Sequence, residues 1–297
     1  MFEDFATHDI RCEDAVIHCR VGGRGAPLLL LHGFPQTHVH WHLLAPLLID
    51  EFTLVIPDLR GYGSSIGPDP DPEHINYSKR EMARDMIHVM GEFGFGEFGI
   101  VSHDRGARVA YRLALDHPER VDRLVSLDTI PTLDIWESWN MAGSLNWFHW
   151  TLLAQPAPLP ELMMGADPDF FMMNMLDQWA ARPGVLDPRA VEEYKIAFRK
   201  PSVRQAMAED YRAGATVDLA HDREARDANR KLQCPVFAAR GTLHTKNPLR
   251  PVWERWAEDV TEVALECGHF LAEELPGECS RAIRAFLTPD QDSRRPE

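Results

Sequence analysis

The sequence predicts an α/β fold: a mostly parallel sheet flanked by helices, with a helical cap inserted into it. Three observations predict it. Short apolar runs alternate with amphipathic stretches in the first and last thirds of the chain. That rhythm breaks over residues 132–215, where five of the eight tryptophans gather with many methionines and several prolines but no strand runs. Residues Phe98 to Ala107 read Phe-Gly-Ile-Val-Ser-His-Asp-Arg-Gly-Ala. An apolar run there ends abruptly, puts one reactive side chain at a turn and leads into a helix of small residues, the pattern of a nucleophile elbow.

In chain order, Leu28 to Leu31 and Thr53 to Pro57 read as buried strands. Ser78 to Phe93 has helical spacing of Met82, Met86, Val89, Met90 and Phe93. Gly99 to Ser102 is a third strand, Arg105 to Asp116 the next helix and Leu124 to Leu127 a fourth strand. The cap follows, punctuated by Pro156-Ala157-Pro158-Leu159-Pro160, with a helix over Val191 to Phe198. Alternation then returns: strand at Val236 to Ala239, helix at Pro251 to Glu258, strand at Val260 to Leu265, helix at Pro276 to Phe286. A tail that is polar from Thr288 is expected to fray. The core is thus expected from residues 1–131 and 216–297, the cap from 132–215.

Composition narrows the function. With 297 residues, 44% hydrophobic and 26% charged, the chain is long and apolar enough for one large core plus an insertion. A formal net charge of −15 disfavours nucleic-acid binding, which needs a basic face, and repels small anions at long range. Five scattered cysteines form no CxxC pair, so neither zinc nor a disulfide framework is expected. No apolar stretch approaches about 18 residues, and Met1 to Ile10 lacks an apolar core. A cytoplasmic protein without membrane contact is expected.

The residue at the tip of an elbow sets its chemistry. Serine attacks acyl carbon, whereas Asp104 can displace a leaving group from an alkyl carbon and become an ester. The plain alternative is an aspartate capping the next helix. His32-Gly33-Phe34-Pro35 follows a strand directly, so the backbone N–H groups of Phe34 and Arg105 are candidates for an oxyanion hole. Gly268-His269-Phe270 follows the last strand, where the order nucleophile, acid, histidine places the base. The acid has two possible seats. After Val236 to Ala239 comes Arg240-Gly241-Thr242-Leu243-His244, without a carboxylate; after Leu124 to Leu127 comes Asp128, which is therefore chosen. Arg105 and Arg108 sit on the first helical turn beside Asp104, suited to hold a substrate carboxylate. The cap carries His149-Trp150 and Glu209-Asp210-Tyr211-Arg212, whose imidazole, indole and phenol are possible donors to a departing halide. Asp58-Leu59-Arg60-Gly61-Tyr62-Gly63-Ser64-Ser65 reads as scaffold.

These motifs resemble the fluoroacetate (haloacetate) dehalogenase group of the α/β-hydrolase superfamily over nearly the whole chain. The resemblance rests on His32-Gly33-Phe34-Pro35-Gln36, the Asp58 to Gly63 loop, His103-Asp104-Arg105-Gly106-Ala107-Arg108, Leu127-Asp128, His149-Trp150, Glu209 to Arg212 and Cys267 to Glu274. It implies an α/β-hydrolase fold with Asp104 as nucleophile and His269 with Asp128 activating water. It further implies Arg105 and Arg108 on the substrate carboxylate, and His149, Trp150 and Tyr211 around the halide. It implies hydrolytic dehalogenation of a haloacetate or other 2-haloacid, defluorination included, with no cofactor or metal, by a homodimer. One departure is Gly241 to Asn247, where relatives begin this loop in a more Trp-Gly-like way. Two other readings stay open: an epoxide hydrolase using Tyr194 and Tyr211, and a non-catalytic binding protein on the same fold.

Overall fold

Eight strands form one sheet in the order β1-β2-β4-β3-β5-β6-β7-β8. The structure, a computed structural model, describes residues 1–288. The tail beyond Thr288, expected to fray, lies outside the described residues. The strands are β1 (Ala6–Arg11), β2 (Val16–Gly23), β3 (Ala26–Leu31), β4 (Phe52–Pro57), β5 (Phe98–His103), β6 (Val121–Leu127), β7 (Val236–Gly241) and β8 (Val260–Leu265). From β4 to β8 neighbouring strands are parallel, while β1–β2 and β2–β4 are antiparallel. The six expected strands are all present. The β1–β2 hairpin was not legible, because β1 is exposed or half-buried along its length and its Thr7-His8-Asp9 carries no apolar run.

Helices α1 (Lys79–Glu92) and α2 (Asp104–Asp116) cover one face of the sheet. Between β6 and β7 run α3 (Thr132–Glu137), α4 (Met141–Asn146), α5 (Phe148–Leu153), α6 (Leu159–Ala166), α7 (Pro168–Trp179), α8 (Pro188–Phe198), α9 (Pro201–Ala215) and α10 (Val217–Asp227). The chain closes with α11 (Arg250–Trp253) before β8, then α12 (Leu271–Glu274) and α13 (Pro276–Leu287). The helix expected over Pro251 to Glu258 stops early. The indoles there are tied down individually: Trp253 Nε1 donates to the Thr129 carbonyl at 3.0 Å and Trp256 Nε1 to Asp134 at 2.6 Å. No helix of the described residues is long and apolar enough to cross a membrane.

β3, β5 and β6 are apolar on both faces because helices cover them on both sides, so their carboxyl ends are rigid platforms. Helix α2 is buried from Arg105 to Leu115, and its first turn lies against the end of β3. That approach depends on Gly106: a methyl there would lie 2.3 Å from the His32 carbonyl oxygen and 2.5 Å from that of Leu31. Both obstacles are backbone and cannot swing aside. Gly106→Ala is therefore expected to lower unfolding free energy by roughly 1–3 kcal/mol, the usual cost of overpacking. Urea denaturation checks this, and an unmoved midpoint would contradict the close approach.

Candidate active site

The carboxyl ends of β5, β6, β7 and β8 converge on one cavity of about 490 Å³, lined among others by Asp104, Arg108, Asp128, His149, His244 and His269. Asp104 opens α2 directly after β5 with φ of +45°, a left-handed conformation rare for a side chain of this kind. The turn lifts the carboxylate off the helix axis, so Asp104 is no ordinary helix cap. Its Oδ1 accepts the Phe34 N–H at 2.9 Å. A methyl on Gly33 would sit 2.6 Å from that oxygen and 2.8 Å from the Arg105 nitrogen, so only glycine lets the β3 loop come this close. Burial alone would raise the Asp104 carboxyl, but the charges of His269 and Arg108 hold it below its ordinary value, an ionised nucleophile.

His269 Nδ1 lies 2.7 Å from Asp128 Oδ2. Asp128 also has positive φ, +49°, which turns its side chain from the end of β6 toward the loops after β7 and β8. Its Oδ1 accepts the Gly241 N–H at 3.0 Å. Burial opposes ionisation of Asp128, but hydrogen bonds from His244 and His269 hold it well below the usual carboxylate range. Burial would lower the His269 imidazole; the hydrogen bond to Asp128 and its charge outweigh this and raise it. Behind His269 stand two more buried rings, His103 at 4.3 Å and His40 a further 4.6 Å on. The row ends at Glu273, which is met by His40, Gln36 and the Tyr194 hydroxyl.

The two arginines differ. Arg105 is fully buried and committed to Asp210 on α9, with Nε at 3.0 Å and Nη2 at 2.6 Å, leaving Nη1 unpartnered. The same Asp210 accepts from Tyr62 at 2.7 Å and from Lys79. Pairing with an aspartate, the plain alternative to substrate binding for these two arginines, is what Arg105 shows. Arg108 reaches only neutral oxygens, the Ile130 carbonyl at 2.8 Å and Thr132 at 3.4 Å, and its Nε has no partner. Burial and the neighbouring Arg105 both lower its basicity.

Helices α5 and α9 bring further aromatic groups to the site. Tyr211 packs at 5.7 Å from His149 and 5.6 Å from Trp150, under the Arg105 guanidinium at 4.1 Å. Burial and the Arg105 charge keep His149 neutral, and its Nδ1 is unpartnered. Sequence reasoning missed Trp179 and His244. Trp179 lies 4.6 Å from His149 with a buried, unpartnered indole N–H, and its carbonyl accepts the His269 N–H at 2.8 Å. A tryptophan at the end of an unmarked helix carries no signal of this. The loop after β7 carries no carboxylate, and a histidine in it gives no signal of reaching Asp128. Asp128, His244 and His269 have ligand-type atoms within 4.8 Å of one another. Their facing nitrogens are spent on the shared carboxylate, and the cluster reads as hydrogen-bonded.

The motifs quoted from the sequence lie close together in the structure, and comparison with known proteins shows the family. Residues 26–275 match the family model of the alpha/beta hydrolase fold. A fluoroacetate dehalogenase from Burkholderia sp is 42% identical over 97% of this chain and 95% of its own length. A soluble epoxide hydrolase from Corynebacterium sp. (strain C12) is 30% identical over 97% of this chain and 99% of its own. The solved structure of ALR0039 from Nostoc sp PCC 7120 superposes with a TM-score of 0.95 at 45% identity, covering 98% of this chain and 100% of that one.

The row of rings behind His269 generates a pH prediction. Burial pushes the Glu273 carboxyl from 4.5 up to about 7. The folded state therefore holds that proton more tightly than the unfolded chain. Its contribution to stability is fully present below pH 4.5 and is lost as pH rises through about 7. Relative to Glu273→Gln, whose side chain stays neutral, the wild type is expected to lose stability across that window. Urea unfolding of both proteins at several pH values measures the difference; parallel curves would refute it.

Proposed function

The chain belongs to the α/β-hydrolase superfamily, in the group of its fluoroacetate dehalogenase relative, and from that premise we propose that it hydrolyses a 2-haloacid to the 2-hydroxy acid and halide. The observation that carries the reading is Arg108: a buried guanidinium in the cavity, beside Asp104, with only neutral hydrogen-bond partners. A buried cation whose hydrogen bonds all go to neutral oxygens is costly, and a substrate carboxylate supplies a charged acceptor. Arg105 keeps one spare donor, Nη1, but is not among the residues lining the cavity.

With the carboxylate held there, Asp104 attacks the α-carbon, the carbon–halogen bond breaks with its electron pair, and halide departs toward His149, Trp150 and Tyr211. In-line positioning dominates such a displacement. His269 then takes a proton from water, and hydroxide adds to the Asp104 ester carbon. The Phe34 and Arg105 N–H groups hold the resulting oxyanion. Collapse returns Asp104 and releases the hydroxy acid, with one proton leaving per turnover. The helices over residues 132–215 act as the cap that shields these steps. The epoxide hydrolase reading needs two cap tyrosines as proton donors to the epoxide oxygen. Tyr194 is spent on Glu273 at 2.9 Å and does not line the cavity, which weakens that reading.

Incubation with fluoro-, chloro- and bromoacetate should release halide. Asp104→Asn is expected to abolish multiple turnover, since an amide is a poor nucleophile. His269→Asn should release about one halide per site and stall, because alkylation needs no base whereas ester hydrolysis does. Mass spectrometry of the peptide containing Asp104 should then show the added acid fragment, and an unmodified peptide would sink the covalent route.

Arg108→Leu tests the anion directly. It should cost chloroacetate turnover at least a few kcal/mol of transition-state stabilisation, the order of a charge-assisted bidentate contact. Chloroacetamide, which makes no ion pair, should suffer much less. Equal losses on both substrates would remove the case for an anionic substrate.

A further inference from the structure

His244, in the loop after β7, lines the same cavity and has no task in the reaction above. Its Nδ1 lies 2.7 Å from Asp128 Oδ2, and His269 Nδ1 lies 2.7 Å from that same oxygen. The two rings stand 4.6 Å apart, inclined by 48°. An ionised carboxylate only accepts, so each imidazole presents an Nδ1–H to it and keeps its lone pair on Nε2. One catalytic carboxylate oxygen thus serves two imidazoles.

We infer that His244 is a positioning residue that divides the negative charge of Asp128 between two imidazoles, so that His269 remains a free base at lower pH than a histidine holding that carboxylate alone. The inference rests on the reading of His269 as the base of ester hydrolysis. One carboxylate neutralises one imidazolium. A second proton would put two cations on a single oxygen, which their mutual repulsion opposes. Each donor on Oδ2 also draws charge that would otherwise stabilise protonated His269. The groups facing His269 from elsewhere do not change with His244. They are Asp104 and Arg108 at the start of α2, His103 at the end of β5 with His40 behind it, Glu274 on α12 and His149 on α5.

The test compares wild type, His244→Phe and His244→Asn. NMR titration of the His269 ring reads its protonation without requiring turnover. Removing the second donor with His244→Phe should raise the His269 midpoint by about one pH unit. His244→Asn places an amide nitrogen where Nδ1 was and should restore most of that shift. It also covers the case in which the phenylalanine variant fails to fold. Wild type should show two low-field Nδ1–H signals and His244→Phe one. In single-turnover hydrolysis of the Asp104 ester, the acid limb should move up with the NMR midpoint. An unmoved midpoint, or one low-field signal in wild type that survives His244→Phe, would overturn the inference. So would a rate loss equal at every pH, the mark of a purely structural role. If no 2-haloacid yields an ester, the proposed reaction fails, while the NMR midpoints still decide whether His244 tunes His269.

Discussion

The carboxylate of Asp210 fixes how charge is distributed in this site. It is fully buried, and it accepts from Arg105 on α2, Tyr62 in the loop after β4 and Lys79 at the start of α1. Each of those groups would be expensive to bury alone, and breaking one such pair typically costs about 3–5 kcal/mol. Three parts of the α/β core are therefore tied to α9 of the inserted helices through a single side chain. The next residue on α9, Tyr211, faces the other way under the Arg105 guanidinium and toward His149. One step along a helix turns the side chain by about 100°, so adjacent residues meet the same guanidinium at its edge and at its face.

Arg105 is compensated by an ion pair, whereas Arg108 beside it hydrogen-bonds only neutral oxygens. Asp104 is the carboxylate whose charge acts on Arg108, and the two stabilise each other's ionised forms. In the proposed reaction an arriving carboxylate would take over the role of counter-charge to Arg108. Asp104 would then lose that stabilisation and become the stronger nucleophile as the substrate seats. The whole chain, at a net charge of −15, repels anions at long range. A desolvated guanidinium outweighs that field over a few ångströms, where the dielectric is low and salt screening is weak. The proposed selectivity for an anion is thus local, and it rests on the burial of Arg108.

Much of this was legible in the sequence, for identifiable reasons. Buried parallel strands read as apolar runs, and the elbow, the glycine-flanked His269 and the strand-end Asp128 each sit where a strand stops. Their spatial convergence follows from parallel strands whose carboxyl ends share one edge. What was not legible depends on partners distant in sequence. The β1–β2 hairpin lacks apolar alternation because it lies at the edge of the sheet. The commitment of Arg105 to Asp210 spans 105 positions, and nothing about either residue type announces it. Tyr194 looked available for chemistry until its hydroxyl was found on Glu273, 79 positions away.

His244 shows the same limit from the other side. The chain offers two seats for the acid partner of His269, after β6 and after β7, and a carboxylate occupies only the first. Read along the chain, the second seat is simply empty of acid. In space the two seats face one point, since β6 and β7 are neighbours in parallel register and their following loops meet over the same edge. Asp128 reaches from one seat, and from the other His244 and the Gly241 N–H reach back to the same carboxylate. A second carboxylate there would have stood beside Asp128 unpaired and pushed one of the two toward its neutral form. A donor does the opposite: it keeps Asp128 ionised and leaves His269 less strongly bound to its proton. The residue that fills the vacant seat is therefore constrained by the one that fills the other, and that constraint exists only once the sheet is assembled.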